Sequence, residues 1–307
     1  MSSPPLPLKT ESTLEARLAA GRFAVTAEIG PPKSADGEVV RRKAVALAGL
    51  VDAANVTDNQ TAVVRLSSIA GALIAKQAGV EPIVQVTCRD RNRIAIQSDL
   101  LGAYALGLHN VLCMTGDAAK AGNHPDAKDV FDLTTADLLR MLRGMRDEGT
   151  FLNGETMRLA PRFFTGATSA PMLGSMDKEL ARLDERVNLG ADFFQSQFVF
   201  DVAAFRPFME HWVGRGLAGR AAFLVGVGPL KSLAQAQHMN TLPGVVIPGE
   251  VLKRLADACD PQQTGVDICL EVVQQLRDVP GVAGVHVMAV AQEDIVPDLL
   301  RAAKLRE

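Results

Sequence analysis

The sequence predicts an α/β protein: a (β/α)8 (TIM) barrel in a single domain. Eight short apolar runs recur along the chain, each followed by a stretch of helical periodicity, as parallel strands covered on both faces require. The length, 307 residues, suits eight such units. A doubly wound sheet would want a Gly-rich turn after the first strand, and the chain has EIGPPKS there. Its one GxGxxG, GRGLAG at 214–219, ends a helical stretch rather than following a strand, and there is no GxxxxGK[ST].

Residues 1–11 are Pro- and Ser-rich and are expected to be flexible; residues 12–307 form the barrel domain. A short helix, STLEARLAAG, has Ser12 as its N-cap and Gly21 as its stop. The first strand, RFAVTAEI, ends in Glu28 and is halted by Pro31-Pro32. Helix GEVVRRKAVALAGL leads to strand DAANVTD, then helix VVRLSSIAGALIAKQAG, strand PIVQVTC and helix IAIQSDLLGAYALG. The fourth strand, Val111 to Gly116, delivers Asp117 into a long polar loop, and a helix resumes at Thr135 over TADLLRMLRGMRDEG. Strand RFFTGAT, helix MDKELARLDERVNLG, strand ADFFQSQFVF, helix VAAFRPFMEHWVGRG and strand AFLVGVG continue the rhythm. Extra helices over KSLAQAQHM, GEVLKRLADA and GVDICLEVVQQLRD stand between strands seven and eight; strand GVHVMAV and helix DIVPDLLRAAKLRE close the chain.

Composition excludes several classes. Net charge is −3, with no basic patch for nucleic acid or an anionic membrane. Trp212 and Tyr104 are the only residues of their kinds, so there is no aromatic platform for bases. No apolar run is long enough to span a bilayer, and MSSPPLPLKTES lacks a signal-peptide pattern. Cys88, Cys113, Cys259 and Cys269 form no CxxC pair. Cys88 and Cys113 read as buried thiols, which fits a cytoplasmic protein. The five histidines show no metal spacing; His124 lies in a loop, and His211 and His238 read as surface residues.

In a barrel the C-terminal strand ends face one mouth, where chemistry gathers. The polar residues expected there are Glu28, Thr57, Asp58, Gln85, Thr87, Thr115, Asp117, Thr165, Thr168, Gln197 and His286. Glu28 suits an acid whose pKa a mostly apolar mouth could raise. Gly116 before Asp117 would let a backbone or a ring come close. Lys178, Arg182 and Arg186 recur at four-residue spacing on one helix. They read either as a solvated face or as a clamp for a pyrophosphate.

Taken together, these stretches resemble the methylenetetrahydrofolate reductase family. The features are TAEIGPPK, NVTDN, VQVTCRDRNR, NVLCMTGD with GNHPDA, GATSAP, ELARLDERVNLGADFFQSQFVFD and VGVGPLKSLAQ, in order from about Arg22 to about Gln292. The resemblance implies a (β/α)8 barrel with noncovalent FAD in its mouth. It implies reduction of 5,10-methylenetetrahydrofolate to 5-methyltetrahydrofolate, with NADH or NADPH reducing the flavin. Glu28 becomes the general acid that opens the five-membered ring. Asp117 is expected near flavin and pterin, tuning the one and binding the other. Gln197 and Gln235 are expected on the folate. Thr57, Asp58, Gln85, Thr115, Gly116, Asp117, Gly166, Ala170, Glu179, Arg182 and Arg186 fall where the family contacts FAD, Arg186 replacing a frequent lysine.

The chain departs from the family pattern in places. Where many members read Phe-Glu-Phe-Phe-Pro-Pro, it has Ala27-Glu28-Ile29-Gly30-Pro31-Pro32. Thr115 replaces a frequent arginine, Gln85 a histidine, Met239 an aromatic and Gln292 an arginine. Two other readings stay open: a pterin-binding methyltransferase barrel, colourless and needing a corrinoid or thiol acceptor, and a non-catalytic flavin- or folate-binding partner of another reductase. The sequence leaves monomer and homo-oligomer, and the choice of electron donor, undecided.

Overall fold

The computed structural model describes residues 8–289 and 293–305. Eight strands close a barrel in sequence order, every neighbour parallel. They are β1 (Ala24–Ile29), β2 (Ala53–Val56), β3 (Pro82–Thr87), β4 (Asn110–Met114), β5 (Phe164–Ser169), β6 (Phe193–Phe198), β7 (Ala222–Val227) and β8 (Val282–Val287). Helix α1 (Thr13–Ala19) precedes the barrel. The crossovers are α2 (Gly37–Leu47), α3 (Ser68–Gln77), α4 (Arg93–Ala105), α5 (Thr135–Arg143), α6 (Met176–Asn188) and α7 (Val202–Gly214). Helices α8 (Leu233–Met239), α9 (Gly249–Ala256) and α10 (Pro261–Arg277) stand between β7 and β8, as expected, and α11 (Val296–Ala302) follows β8.

Alternation along each strand divides the core in two. Val25, Ala27 and Ile29 of β1, with Val84 and Val86 of β3, face outward and pack beneath the helices. Ala24, Ala53, Ile83, Leu112, Phe164, Phe193 and Leu224 face inward and fill the lower barrel. Leu14 of α1 closes that end and is fully buried with them. Ser12 caps α1 through the Glu15 amide (3.0 Å) and donates to Asn110 Oδ1 at the foot of β4 (2.5 Å). Of the segment expected to be flexible, residues 1–7 lie outside the described residues, while Thr10 is buried and donates to Glu15 Oε2 (2.6 Å).

Above the apolar layer lies a polar one. Gln195 of β6 reaches across the barrel: Asn55 Nδ2 donates to its Oε1 (2.6 Å), and its Nε2 donates to Asn55 Oδ1 (3.1 Å) and Thr26 Oγ1 (3.2 Å). His286 Nδ1 lies 3.0 Å from Thr26 Oγ1 and 3.3 Å from Gln195 Nε2. All four residues are buried, so each depends on the others for its hydrogen bonds. Burial drives the His286 pKa down to about 3, leaving a neutral ring.

Three elements differ from expectation. Strand β4 stops at Met114, so Thr115 and Gly116 lie beyond it; Gly116 adopts φ +85°, which ends the ladder. Helix α3 starts at Ser68, five residues later than the apolar pattern suggests. Before it the chain makes a tight turn with Asn59, Thr61 and Ala62 at positive φ. Helix α5 ends at Arg143, and Gly144–Glu148 widens into one π turn closed by left-handed Gly149. Val290, expected in the last strand, and Gln292 lie outside the described residues. Among the described residues no helix is long and apolar enough to cross a membrane.

Two outcomes follow from this interior. A Cβ on Gly284 would fall 2.2 Å from the Ala24 carbonyl oxygen, so Gly284→Ala should lose about 1–3 kcal/mol in denaturant unfolding. His286 should show no imidazole titration by NMR between about pH 8 and about pH 5. The unfolded chain protonates this histidine below its ordinary 6.5 and the folded one does not until about 3. Stability is therefore lost as pH falls through that window, an effect that calorimetry on His286→Gln should remove.

Candidate active site

Glu28 is the last inward-facing residue of β1, opposite Asn55 of β2, and is half-buried at the mouth. Gln60, from the loop after β2, donates Nε2 to Glu28 Oε1 at 3.4 Å. Burial, then the nearby Glu293 carboxylate, raise the Glu28 pKa to about 7, against the smaller opposing effects of Gln60 and Lys43. The carboxyl holds its proton near neutral pH, where an ordinary glutamate has lost it.

Thr57 follows β2 on the same inward face as Asn55. Its hydroxyl is buried and has no hydrogen-bond partner among the described residues. Asp58 is buried beside it, with Oδ2 accepting the Thr87 amide and hydroxyl, both at 2.9 Å, and the Arg91 guanidinium. Gln85 of β3 is buried in the barrel interior. Past β4, a Cβ on Gly116 would sit 3.0 Å from Thr87 Cβ, so glycine is needed for fit as well as for φ. The Thr115 hydroxyl lies 2.8 Å from that of Thr135, at the start of α5. Asp117 is exposed.

The β5 side is built around Glu179 of α6. Its Oε1 accepts Ser169 Oγ and the Ala170 amide, both at 2.8 Å, and its Oε2 accepts Arg182 Nε at 2.7 Å. Burial works to raise this pKa, but Arg182, Ala170 and Ser169 outweigh it and hold the carboxyl below the usual range. Arg186, one turn on, donates Nη1 to the Thr168 carbonyl (2.7 Å). Burial, with Arg182 nearby, lowers its pKa to about 10, so it remains a cation at neutral pH. Lys178 is exposed, so the basic face on α6 comprises Arg182 and Arg186. Gly166 lies inside the barrel; a Cβ there would fall 2.3 Å from the Phe193 ring.

Gln197 is exposed at the top of β6. Gln235 lies in the first turn of α8, its Oε1 accepting the Lys231 amide at 2.6 Å. Two residues expected at the mouth lie elsewhere. His286 sits one layer down, and Thr165, beside inward Phe164, faces outward near the strand's start, where its amide donates to Asp192 (2.9 Å). Met239 is buried in a satellite core with Phe198, Phe200 and Leu230. Cys88, Cys113 and Cys269 are buried; burial pushes the Cys88 thiol up to about 11 and Cys269 to about 12. Among the described residues no His, Cys, Asp and Glu cluster could hold a metal.

Sequence reasoning missed several side chains. Arg89 is buried and bonds Asp90 (2.7 Å), the Asp117 carbonyl (3.0 Å) and the Asn59 carbonyl (3.3 Å), joining the loops after β2, β3 and β4. Gln60, Lys43 and Glu293 gather near Glu28 from three separate segments. Thr26 and Asn55 had a usable signal: each stands two residues before a mouth residue, on the same strand face, whereas a register shift follows Gln195 on β6.

Comparison with known proteins bears on the family and the fold. The sequence pattern of the methylenetetrahydrofolate reductase family matches residues 13–304. A probable methylenetetrahydrofolate reductase (NADPH) of Caenorhabditis elegans is 24% identical over 243 residues, 78% of this chain and 34% of that protein. The 5,10-methylenetetrahydrofolate reductase of Pectobacterium carotovorum is 23% identical over 175 residues, 57% of this chain and 52% of that one. The Salmonella typhimurium enzyme is 22% identical, over 66% and 64% of the two chains. The matched region thus spans less than two thirds of each relative's length. An uncharacterized Clostridium thermocellum protein, which binds two copies of 5-methyl-5,6,7,8-tetrahydrofolic acid, shares the fold at a TM-score of 0.65 and 15% identity. The alignment covers 95% of this chain and 98% of that one. On the match of nearly its whole length, the chain belongs to the methylenetetrahydrofolate reductase family.

Proposed function

We propose that the protein reduces 5,10-methylenetetrahydrofolate to 5-methyltetrahydrofolate in the cytoplasm, with FAD in the barrel mouth and NADH or NADPH as electron donor. The observation that carries this reading is Glu28: in a barrel of this family, the carboxyl at the mouth keeps its proton up to about pH 7. FAD suits the residues present. Thr57 offers a buried hydroxyl without a partner. Arg182 and Arg186 offer two guanidinium groups for a pyrophosphate, and Gln85 a carboxamide in the interior. Asp58, Thr115, Gly116 and Ala170 are assigned to the same site, with Glu179 fixing Arg182; Gly166 lies lower, its inner face filled by the Phe193 ring. Bound there, FAD would supply the hydride.

The side chains handle the proton and the orientation. Neutral Glu28 gives its proton to a weakly basic nitrogen of the folate's five-membered ring as that nitrogen's bond to the bridging carbon breaks. The bond's electron pair stays on the nitrogen, and the carbon remains as an iminium, the electrophile that hydride converts to a methyl group. Glu28 is then ionised and must be reprotonated before the next turnover. Asp117 is assigned to the pterin and to the electrostatics around the flavin; Gln197 and Gln235 are assigned to the folate. The tetrahydrofolate bound by the Clostridium protein of the same fold has the form of the expected product, which supports the reading.

The visible spectrum of the purified protein, taken before and after anaerobic NADH, tests the whole. A flavin spectrum should bleach with NADH or NADPH and return on adding methylenetetrahydrofolate; a protein that takes up no flavin when FAD is supplied would overturn the assignment. Glu28→Gln should keep flavin binding and lower folate reduction by about 10²–10⁴-fold in stopped-flow assays. Arg186→Gln should weaken FAD binding by roughly 10- to 100-fold in fluorescence titration, the scale of one lost charge-assisted contact. Unchanged affinity would restrict Arg186 to the Thr168 carbonyl.

A further inference from the structure

Glu28 looks two ways: toward the mouth, and into a side cavity of about 310 Å³ between α2 and the segment that follows β8. Lys43 of α2 and Glu293, from that segment, line this cavity and form an ion pair. Lys43 also donates Nζ to the carbonyl of Gly30, two residues past Glu28, at 2.8 Å. Gly30 leaves room for the pair: a Cβ there would fall 3.2 Å from Glu293 Oε1 and 4.0 Å from Lys43 Nζ. The clasp therefore ties the turn after β1 to α2 and to the chain beyond β8, with Glu28 in the same cavity.

We propose that Lys43 and Glu293 are positioning residues for Glu28, a charged clasp that fixes its turn and sets the electrostatic balance the acid faces. This rests on the reading of Glu28 as the proton donor. Among the described residues, the groups around Glu28 are few. Lys43 and Arg42 come from α2, Glu293 and Asp294 from beyond β8, and Gln60, uncharged, from the loop after β2. Val39, Leu47 and Val296 supply apolar wall. Of the charged groups, Glu293 favours the protonated acid and Lys43 the ionised one, with Glu293 the stronger. The ion pair keeps each charge partly neutralised by the other, so removing either leaves its partner acting alone on Glu28.

Opposite signs make the test sharp. The reaction needs protonated Glu28, so activity falls as pH rises through its pKa. Glu293→Gln leaves Lys43 unopposed and should move the alkaline limb of kcat about one unit down in pH. Lys43→Met leaves Glu293 unopposed and should move the limb up by a similar amount, and the double variant should return toward the parent. The same displacements should appear, without turnover, in the 13C NMR titration of the Glu28 side-chain carboxyl, assigned by comparison with Glu28→Gln. A Glu28 titration that ignores both single substitutions, or shifts the same way in each, would overturn the clasp. Folate reduction surviving in Glu28→Gln would instead overturn the proton-donor reading, and the NMR titration would still decide whether the clasp governs the carboxyl.

Discussion

Thr26, Asn55, Gln195 and His286 meet inside the barrel and satisfy one another's hydrogen bonds away from bulk water. A closed parallel barrel must fill its interior, and this one does so in two chemically different tiers. The lower is apolar and sealed by Leu14. The polar tier above it works only if every member is in place, because each lost partner strands a buried group. Glu28 and Thr57 stand on the next inward positions of β1 and β2, and Gln197 follows Gln195 on β6. The register that completes the polar tier thus also aims the mouth residues.

That dependence explains the contrast between the two acids. Glu28 is rooted in the strand register and shielded by Gln60 and the α2 side, so burial can keep it protonated. Asp117 lies past a left-handed glycine and is exposed. Strand register fixes the one carboxyl, and a left-handed glycine releases the other from it. On the β5 side, buried Glu179 takes four hydrogen bonds from three residues and holds Arg182 in place, leaving Arg186 as the better buried cation.

The barrel was legible because eight apolar runs and their turn residues each obey a local rule. The strand ends at Glu28 and Thr57 were legible for the same reason. What escaped was structure made by distant pairs. The turn with Asn59, Thr61 and Ala62 at positive φ carries no glycine to announce it; it packs on the loop after β4, where Val64 donates to Asn123 Oδ1 (3.0 Å). The π turn after α5 hid inside a run that reads as continuous helix. Arg89 sits in the basic stretch RDRNR and is buried because three loops offer it acceptors. Lys43 and Glu293 stand 250 positions apart, a partnership that exists only once β8 closes against β1.

The seal at the foot of the barrel has a consequence for traffic. With Leu14 and the inward aromatics filling the N-terminal end, the interior is closed on that side, like the foot of a vessel. Water that reaches the polar tier, and any ligand that sits above it, use the same entrance. A molecule seated in the mouth would therefore also cover this tier and slow the exchange of the Gln195, Asn55 and Thr26 hydrogens with solvent. Occupancy of the site is written into a layer that no ligand needs to touch.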